Sequence, residues 1–428
     1  NIENNFNMMN KSLVGKIDVG VETNVLTNTE SSISSTSKFL NTEVPRQNIK
    51  TLKYVDNLNI PEGATVVDVS KNGDNTIKMW YNEADANGNY DITIGSNNII
   101  YANPSGSNLF SNLTNVTSID LSNLDTSGIA GMNGMFENDK VLTNIVFGDN
   151  FNTSNATNMT AMFRGCNNLT ELDLRMFDTS NVKSMYNMFA ESGIKNVNLS
   201  SFVTHNLDGG GMQRMFLKCT KLESLDLSSF DTSSITNFEK TFGGCSSLTK
   251  LDVSNFDTSN VTNFYDMFNG CSSLKELDVS GFDTSKAVIM GNMFSGCSSL
   301  ESLDVSHFNT SNVKTMSNMF SSLKCSLDLS NFDTSNVDNL SQMFMYYKNE
   351  RLDLSSFDTS KVTSTNHMFA SSSIEYIDLR NADFSNVTDY TNMFKGISKS
   401  TIIYLKDTTG NRNFMNTNFN NITATYIS

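Results

Sequence analysis

Leu248–Cys271 reads LTKLDVSNFDTSNVTNFYDMFNGC, and Leu274–Cys297 reads LKELDVSGFDTSKAVIMGNMFSGC. The two stretches are one unit written twice. The same phrase places a phenylalanine twelve times between Phe110 and Phe394, at intervals of 24 to 27 residues, ten of them directly after a methionine. A period in this range marks units that bury their apolar faces against one another, so the spacing predicts a repeat solenoid.

Within one unit the apolar spacing changes twice. Leu248, Leu251 and Val253 end in alternation, with Asp252 directed to the opposite face, which predicts a strand of three to five residues. Phe256 follows, then the polar corner Asp257-Thr258-Ser259-Asn260, whose side chains suit turns and helix N-caps. From Val261 the spacing i, i+3, i+6, i+7 through Phe264, Met267 and Phe268 predicts a short helix, closed by Gly270. One coil therefore reads strand, corner, helix, turn.

The phrase L-x-x-L-D-L-S-x-F-D-T-S-x-V-x-x-M-x-x-M-F-x-G-C resembles the leucine-rich repeats of the BspA-like bacterial surface proteins, in the variety of about 26 residues also found in mycoplasmal lipoproteins. The resemblance runs from about Leu109 to Phe394, with departures at Ile145-Val146-Phe147, Val203-Thr204-His205, the shortened coil ending at Phe344, and Ala382-Asp383-Phe384-Ser385. It implies an α/β solenoid: a right-handed leucine-rich-repeat array with a parallel β-sheet on its concave face, short helices outside and a small β-rich N-terminal cap. It also implies an extracellular or cell-surface location on a bacterium, and adhesion or protein binding.

Around the array, residues 1–50 are rich in Asn, Ser and Thr and are expected to be weakly structured. Residues 51–108 carry strand-like runs at 64–69, 77–81, 90–94 and 99–101, separated by Gly, Asn and Asp turns, and read as the β-rich cap. The array then occupies 109–397 in about 11 coils, and 398–428 form a C-terminal cap with strands at Ile402–Leu405 and Ala424–Ile427 around a helix at Arg412–Phe419. Such caps cover the open faces of the terminal coils.

A net charge of −15 argues against a phosphate-binding surface, because nucleic-acid affinity depends on clustered Lys and Arg. No stretch approaches 18 consecutive apolar residues, so no membrane span is expected. The chain opens at Asn1 without an initiator methionine or apolar leader, and it has no wall-sorting motif of the LPxTG kind. It reads as a processed or truncated piece, with any anchor elsewhere.

The Met columns, such as Met290 with Met293 and Met316 with Met319, offer thioethers that could ladder Cu(I). Their helical spacing beside the Phe column favours core filler instead. Cys166, Cys219, Cys245, Cys271 and Cys297 share one coil position while Cys325 is out of frame. Adjacent coils would bring equivalent Cα atoms within disulfide range. Cys166, however, has Asp139 and Ser192 as ladder neighbours, and the spacing of a zinc site is missing, which favours buried free thiols. His205, His307 and His367 occupy three different coil positions, and Gly209-Gly210-Gly211 lacks the residues of a phosphate loop. No enzyme, cofactor or metal is expected.

The candidate ligand-binding surface is the outward side of the LDL strand: Asp226, Asp252, Asp278, Asp304, Asp328, Asp353 and Asp378 in seven consecutive coils, with serines beside them. Carboxylates at strand spacing repel, which makes the column mildly destabilising. It serves either as hydrated surface or as a trough for a basic or cation-bridged ligand. Arg175, Arg351, Tyr376, Arg380 and Tyr404 break the pattern and favour local recognition. The corner series, Asp257 and its equivalents, is assigned to turn hydrogen bonds. Two functions remain: a surface-displayed module binding a protein ligand, for which host extracellular proteins are candidates, and a structural spacer or variable coat without a specific ligand. Oligomeric state is not legible.

Overall fold

The structure is a computed structural model and describes residues 23–428. The described chain is mostly β, in several sheets, with little helix. In the cap the strands are β1 (Ile49–Val55), β2 (Thr65–Asp68), β3 (Lys78–Tyr81), β4 (Tyr90–Gly95) and β5 (Ile100–Tyr101). In the first repeats they are β6 (Ser118–Asp120), β7 (Leu124–Asp125), β8 (Asn144–Val146), β9 (Glu171–Asp173) and β10 (Asn196–Asn198). At the far end come β11 (Arg351–Asp353), β12 (Tyr376–Leu379), β13 (Ile402–Lys406), the helix α1 (Thr409–Asn418) and β14 (Ala424–Ile427).

The cap and the repeats share a sheet in the order β2-β3-β4-β1-β6-β8. Its pivot is β1, parallel to both β4 and β6, so the first repeat continues a sheet already begun in the cap. At the other end β11-β12-β13-β14 form a parallel sheet. The C-terminal elements are the strand, helix and strand read from the sequence, and Thr408 caps α1 by accepting the Asn411 N–H at 3.0 Å.

Residues 1–22 lie outside the description. The rest of the N-terminal segment is packed, not loose, because Phe39, Leu40 and Val44 are buried and Arg46 is wholly enclosed. The Arg46 guanidinium donates to the Asn108 and Ser111 carbonyls at 3.0 and 2.7 Å and to Glu30, tying the segment to the array. A lone arginine in a Ser/Thr-rich stretch gives no sequence signal for such a role.

Along the array the phenylalanines of this column stack ring on ring. Phe242, Phe268, Phe294 and Phe320 follow at centroid spacings of 5.8, 5.9 and 6.0 Å with interplanar angles of 5°, 9° and 4°. The methionines beside them, including Met267, Met293 and Met319, are fully buried.

The outer helices expected from the i, i+3, i+6, i+7 spacing do not form. Each Met-Phe segment is instead a run of tight turns: Met267 N–H donates to Phe264 O at 3.2 Å and Cys271 N–H to Phe268 O at 3.1 Å. The intervening amides cross to the next repeat, Asp266 to Gly291 O (3.0 Å), Phe268 to Met293 O (3.0 Å) and Gly270 to Ser295 O (2.8 Å). The cause is the residue before Met-Phe, which is left-handed in repeat after repeat; Asn187, Asp266, Asn292 and Asn318 have φ between 56° and 58°. A left-handed residue breaks an α-helix; glycine adopts that conformation most freely, as at Gly134, and Asn and Asp more readily than other side chains.

The parallel LDL sheet also differs from expectation. It exists at both ends but not continuously: between β10 and β11 the LDL segments make one isolated pairing, Lys250 with Glu276. A different position carries the inter-repeat ladder there, running Asn237–Asn263–Ile289–Thr315–Asn339–Ser364–Asp389, just ahead of the Met-Phe turns. With both the ladder and the crossing amides on that side, the LDL strands of the middle repeats are not needed to hold neighbours together.

A further inter-repeat bond comes from the threonine of FDTS. Thr258 is buried; its hydroxyl donates to Asp283 O at 3.0 Å and accepts the Asp283 N–H at 2.8 Å. The same pair recurs from Thr126 onward, for example Thr232 with Asp257 and Thr310 with Asp333. Beside it, Asn260 and Asn336 donate to the carbonyls of Ser233 and Ser311 in the preceding repeat.

Candidate functional site

The outward LDL side chains form the candidate site, and the structure divides them into two kinds. Asp226, Asp252, Asp278, Asp304, Asp328 and Asp353 are exposed, and each accepts the backbone N–H of the serine two residues on, at 2.9 to 3.0 Å. In Asp252, Asp304 and Asp328 the same oxygen also takes the serine hydroxyl at 2.6 Å. These serine bonds hold the carboxyls of Asp226, Asp252, Asp278, Asp304 and Asp328 below the usual carboxylate range, and repulsion from neighbouring aspartates is the weaker influence where it acts. The mild destabilisation expected from the charge column is therefore outweighed locally. The column is a series of turn caps, the same chemistry as the corner series, where Ser259 N–H donates to Asp257 at 2.9 Å. Glu276, Asp278, Asp304 and Asp328 nevertheless line a shallow acidic groove of about 440 Å³.

Asp378 departs from the column. It is buried, not outward in solvent, because Arg380 folds over it with Nη2 at 2.7 Å and Nε at 3.0 Å from the carboxylate. That pairing raises the Arg380 pKa and keeps the guanidinium charged. Around this pair the remaining candidates converge. The register sets Arg351 beside Tyr376 and Asp378 beside Tyr404. The Arg351 guanidinium lies 4.1 Å from the Tyr376 ring centre and that of Arg380 5.9 Å from Tyr404, while the two tyrosines meet edge to face at 5.5 Å. Ile402, next to Tyr376, is 49% exposed. Among the described residues Arg351 has no carboxylate partner, so its charge is available. Arg175 makes the same fork onto Asp173, but stands by itself in solvent.

The cysteines line the interior. All six are free, and Cys166, Cys219, Cys245, Cys271 and Cys297 donate their thiols to the phenylalanine carbonyl of the preceding repeat at 3.0 to 3.2 Å. Burial pushes Cys219 and Cys271 up to about 12, which suppresses the thiolate that exchange chemistry needs. Asp139, in the equivalent place two repeats before Ser192, accepts the Leu113 N–H at 2.9 Å, and burial raises its pKa well above the usual value.

Tyr404, which the sequence marks with Arg351, Tyr376 and Arg380 as a pattern-breaking position favouring local recognition, completes the C-terminal cluster. A second concavity at the other end of the same face, under the loop at 56–61, was not foreseen. Its signal was the single tryptophan of the chain, Trp80, alternating with a core residue in a cap strand. No described helix is long and apolar enough to cross a membrane.

Comparison with curated proteins gave no match. Among solved structures, the chain is similar to the functional domain of InlJ from Listeria monocytogenes, whose description includes a cysteine ladder, at 17% identity and a TM-score of 0.30. The similarity covers 69% of this chain and 66% of that one, just under two thirds of its length. Residues 105–210, 210–327 and 298–406 each match one repeat family. Those stretches span more than half of the 428 residues, and the chain belongs to DUF285, a family described as Mycoplasma protein of unknown function.

Proposed function

We propose that the chain is a non-enzymatic leucine-rich-repeat solenoid of the BspA-like kind, extracellular or displayed on the bacterial surface, and that it binds a protein ligand through the C-terminal end of its LDL face. The observation that carries this reading is the contrast along one face. Positions that follow the repeat consensus spend their side chains on turn caps, as Asp252 does with Ser254. Positions that break the consensus gather Arg351, Tyr376, Arg380 and Tyr404 into one cluster beside exposed Ile402. Arginine and tyrosine next to an apolar side chain is the composition of protein-binding hot spots.

The interchangeable, self-capped middle of the array favours the second reading, a spacer or coat that holds other segments at a distance. A binding screen of the full chain against purified extracellular proteins separates the two. A partner retained by Asp252→Asn/Asp278→Asn/Asp304→Asn and lost in Arg351→Ala/Tyr404→Ala supports the proposal. A partner lost only in the triple aspartate variant moves recognition to the acidic groove, and no partner at all supports the spacer.

A further inference from the structure

The sheet that joins the cap to the first repeats has one face in the core and the other lining a cleft. On the core side lie Leu52, Met79, Ile92 and Ile119, all buried. The opposite side shows two parallel rows set by register. One row is Trp80, Thr93, Lys53, Asp120 and Val146. The second is Asp91, Thr51, Ser118 and Asn144. With the loop carrying Asn57 and Pro61 as a wall, they enclose a cavity of about 740 Å³, within the range of small-molecule sites.

The tryptophan is built into that wall. A Cβ at Gly95 would lie 2.5 Å from the Trp80 ring and 2.3 Å from the Asn57 carbonyl, so only glycine lets the ring lie against the strand beneath the loop. Trp80 is 6% exposed, and what remains accessible borders the cavity. The polar groups are oriented yet keep capacity. Thr51 donates its hydroxyl to Asp91 Oδ1 at 2.6 Å, and Ser122 N–H donates to Asp120 Oδ1 at 2.9 Å, which leaves the second oxygen of each carboxylate for a ligand. Among the described residues the side chains of Lys53 and Asn144 make no hydrogen bond or ion pair.

We propose that this cleft binds a neutral sugar. Carboxylate, amide, hydroxyl and ammonium groups on adjacent strands supply the mixed donors and acceptors that neighbouring sugar hydroxyls require, and exposed Val146 offers apolar surface to ring C–H groups, with the accessible edge of Trp80 beside it. Two carboxylates against one ammonium, on a chain of net charge −15, disfavour acidic sugars. The strands in the middle of the cleft, β4, β1 and β6, are each paired on both sides, so an extended peptide finds a free strand edge only at β8 on the rim.

Trp80 is the sole tryptophan, so its emission reports on this cleft alone. The full chain is titrated with glucose, galactose, mannose, N-acetylglucosamine, N-acetylgalactosamine and their disaccharides, with glucuronic and sialic acid as acidic counterparts. The proposal expects a saturable change in emission with at least one neutral sugar and weaker binding of the acidic ones. Asn144→Ala and Asp91→Ala should each weaken that sugar about tenfold, the loss of one to two hydrogen bonds, at unchanged melting temperature. Arg351→Ala should leave it unaffected, which keeps this test separate from the C-terminal cluster. No saturable change with any neutral sugar, tighter binding of an acidic sugar, or a response that survives both cleft variants overturns the proposal.

Discussion

Thr258→Val asks whether the repeats are held together by polar bonds that sequence patterning does not reveal. The substitution keeps the side chain's shape and removes only the hydroxyl, which bonds both the N–H and the carbonyl of Asp283 in the next repeat. Thr258 is 1% exposed, so water does not readily replace it. Two backbone groups lose their partner, each at about 1 to 3 kcal/mol if fully unsatisfied. The Asp283 side chain reaches solvent, which softens the loss, and about 2 to 4 kcal/mol is expected in total. Thr258→Ser keeps both bonds and gives up one methyl group, about 0.8 kcal/mol. Urea unfolding of the three proteins, with hydrogen exchange at the Asp283 amide, measures the difference. If the valine variant is as stable as the serine variant or more so, the threonine is only core filler and the bonding account fails.

Phe268→Ala should cost about 3 to 5 kcal/mol, because the ring is stacked between Phe242 and Phe294 and its removal leaves a cavity; denaturant unfolding checks it. In acid, the column aspartates have folded pKa values below their unfolded value near 3.9, so their stabilisation is complete above about pH 5 and fades as pH falls through the folded values. Melting curves should decline below about pH 4, and the Asp252→Asn/Asp278→Asn/Asp304→Asn variant should show a shallower decline. Asp139 has the opposite sign. Burial raises its pKa and makes the charged form unfavourable at neutral pH, so Asp139→Asn, which removes the charge and keeps the Leu113 bond, should raise the melting temperature at pH 7.

The repeat, its buried Phe, Met and Cys columns and the terminal elements were legible because periodic apolar residues have few ways to be buried. The Met-Phe segment was misread because i, i+3, i+6, i+7 spacing fits a run of tight turns as well as a helix. Asn or Asp before Met-Phe in several repeats, as in Asn292-Met293-Phe294, is a sign of a left-handed residue, but Ala161, Arg214, Gln342 and His367 take the same conformation with no such signal. Strand β1 was missed because a bulge between Ile49 and Thr51 interrupts its alternation. Six of the seven column aspartates are exposed and Asp378 is buried, and the role of an exposed one such as Asp252 depends on a serine two residues on in the folded turn. Arg351, the pair Tyr376 and Arg380, and Tyr404 stand in three successive repeats, and only strand register brings them together.

Hydrogen exchange across the middle repeats tests the central claim most directly, namely that neighbours are joined through the Met-Phe turns and the adjoining ladder while the LDL strands there stay largely unpaired. Protection should be high over 262–271 and 288–297 and distinctly lower over 251–253, 277–279 and 303–305, in contrast to the protected LDL segments of β12 and β13. Uniform protection of the LDL segments along the whole array, equal to that of β12, would contradict it.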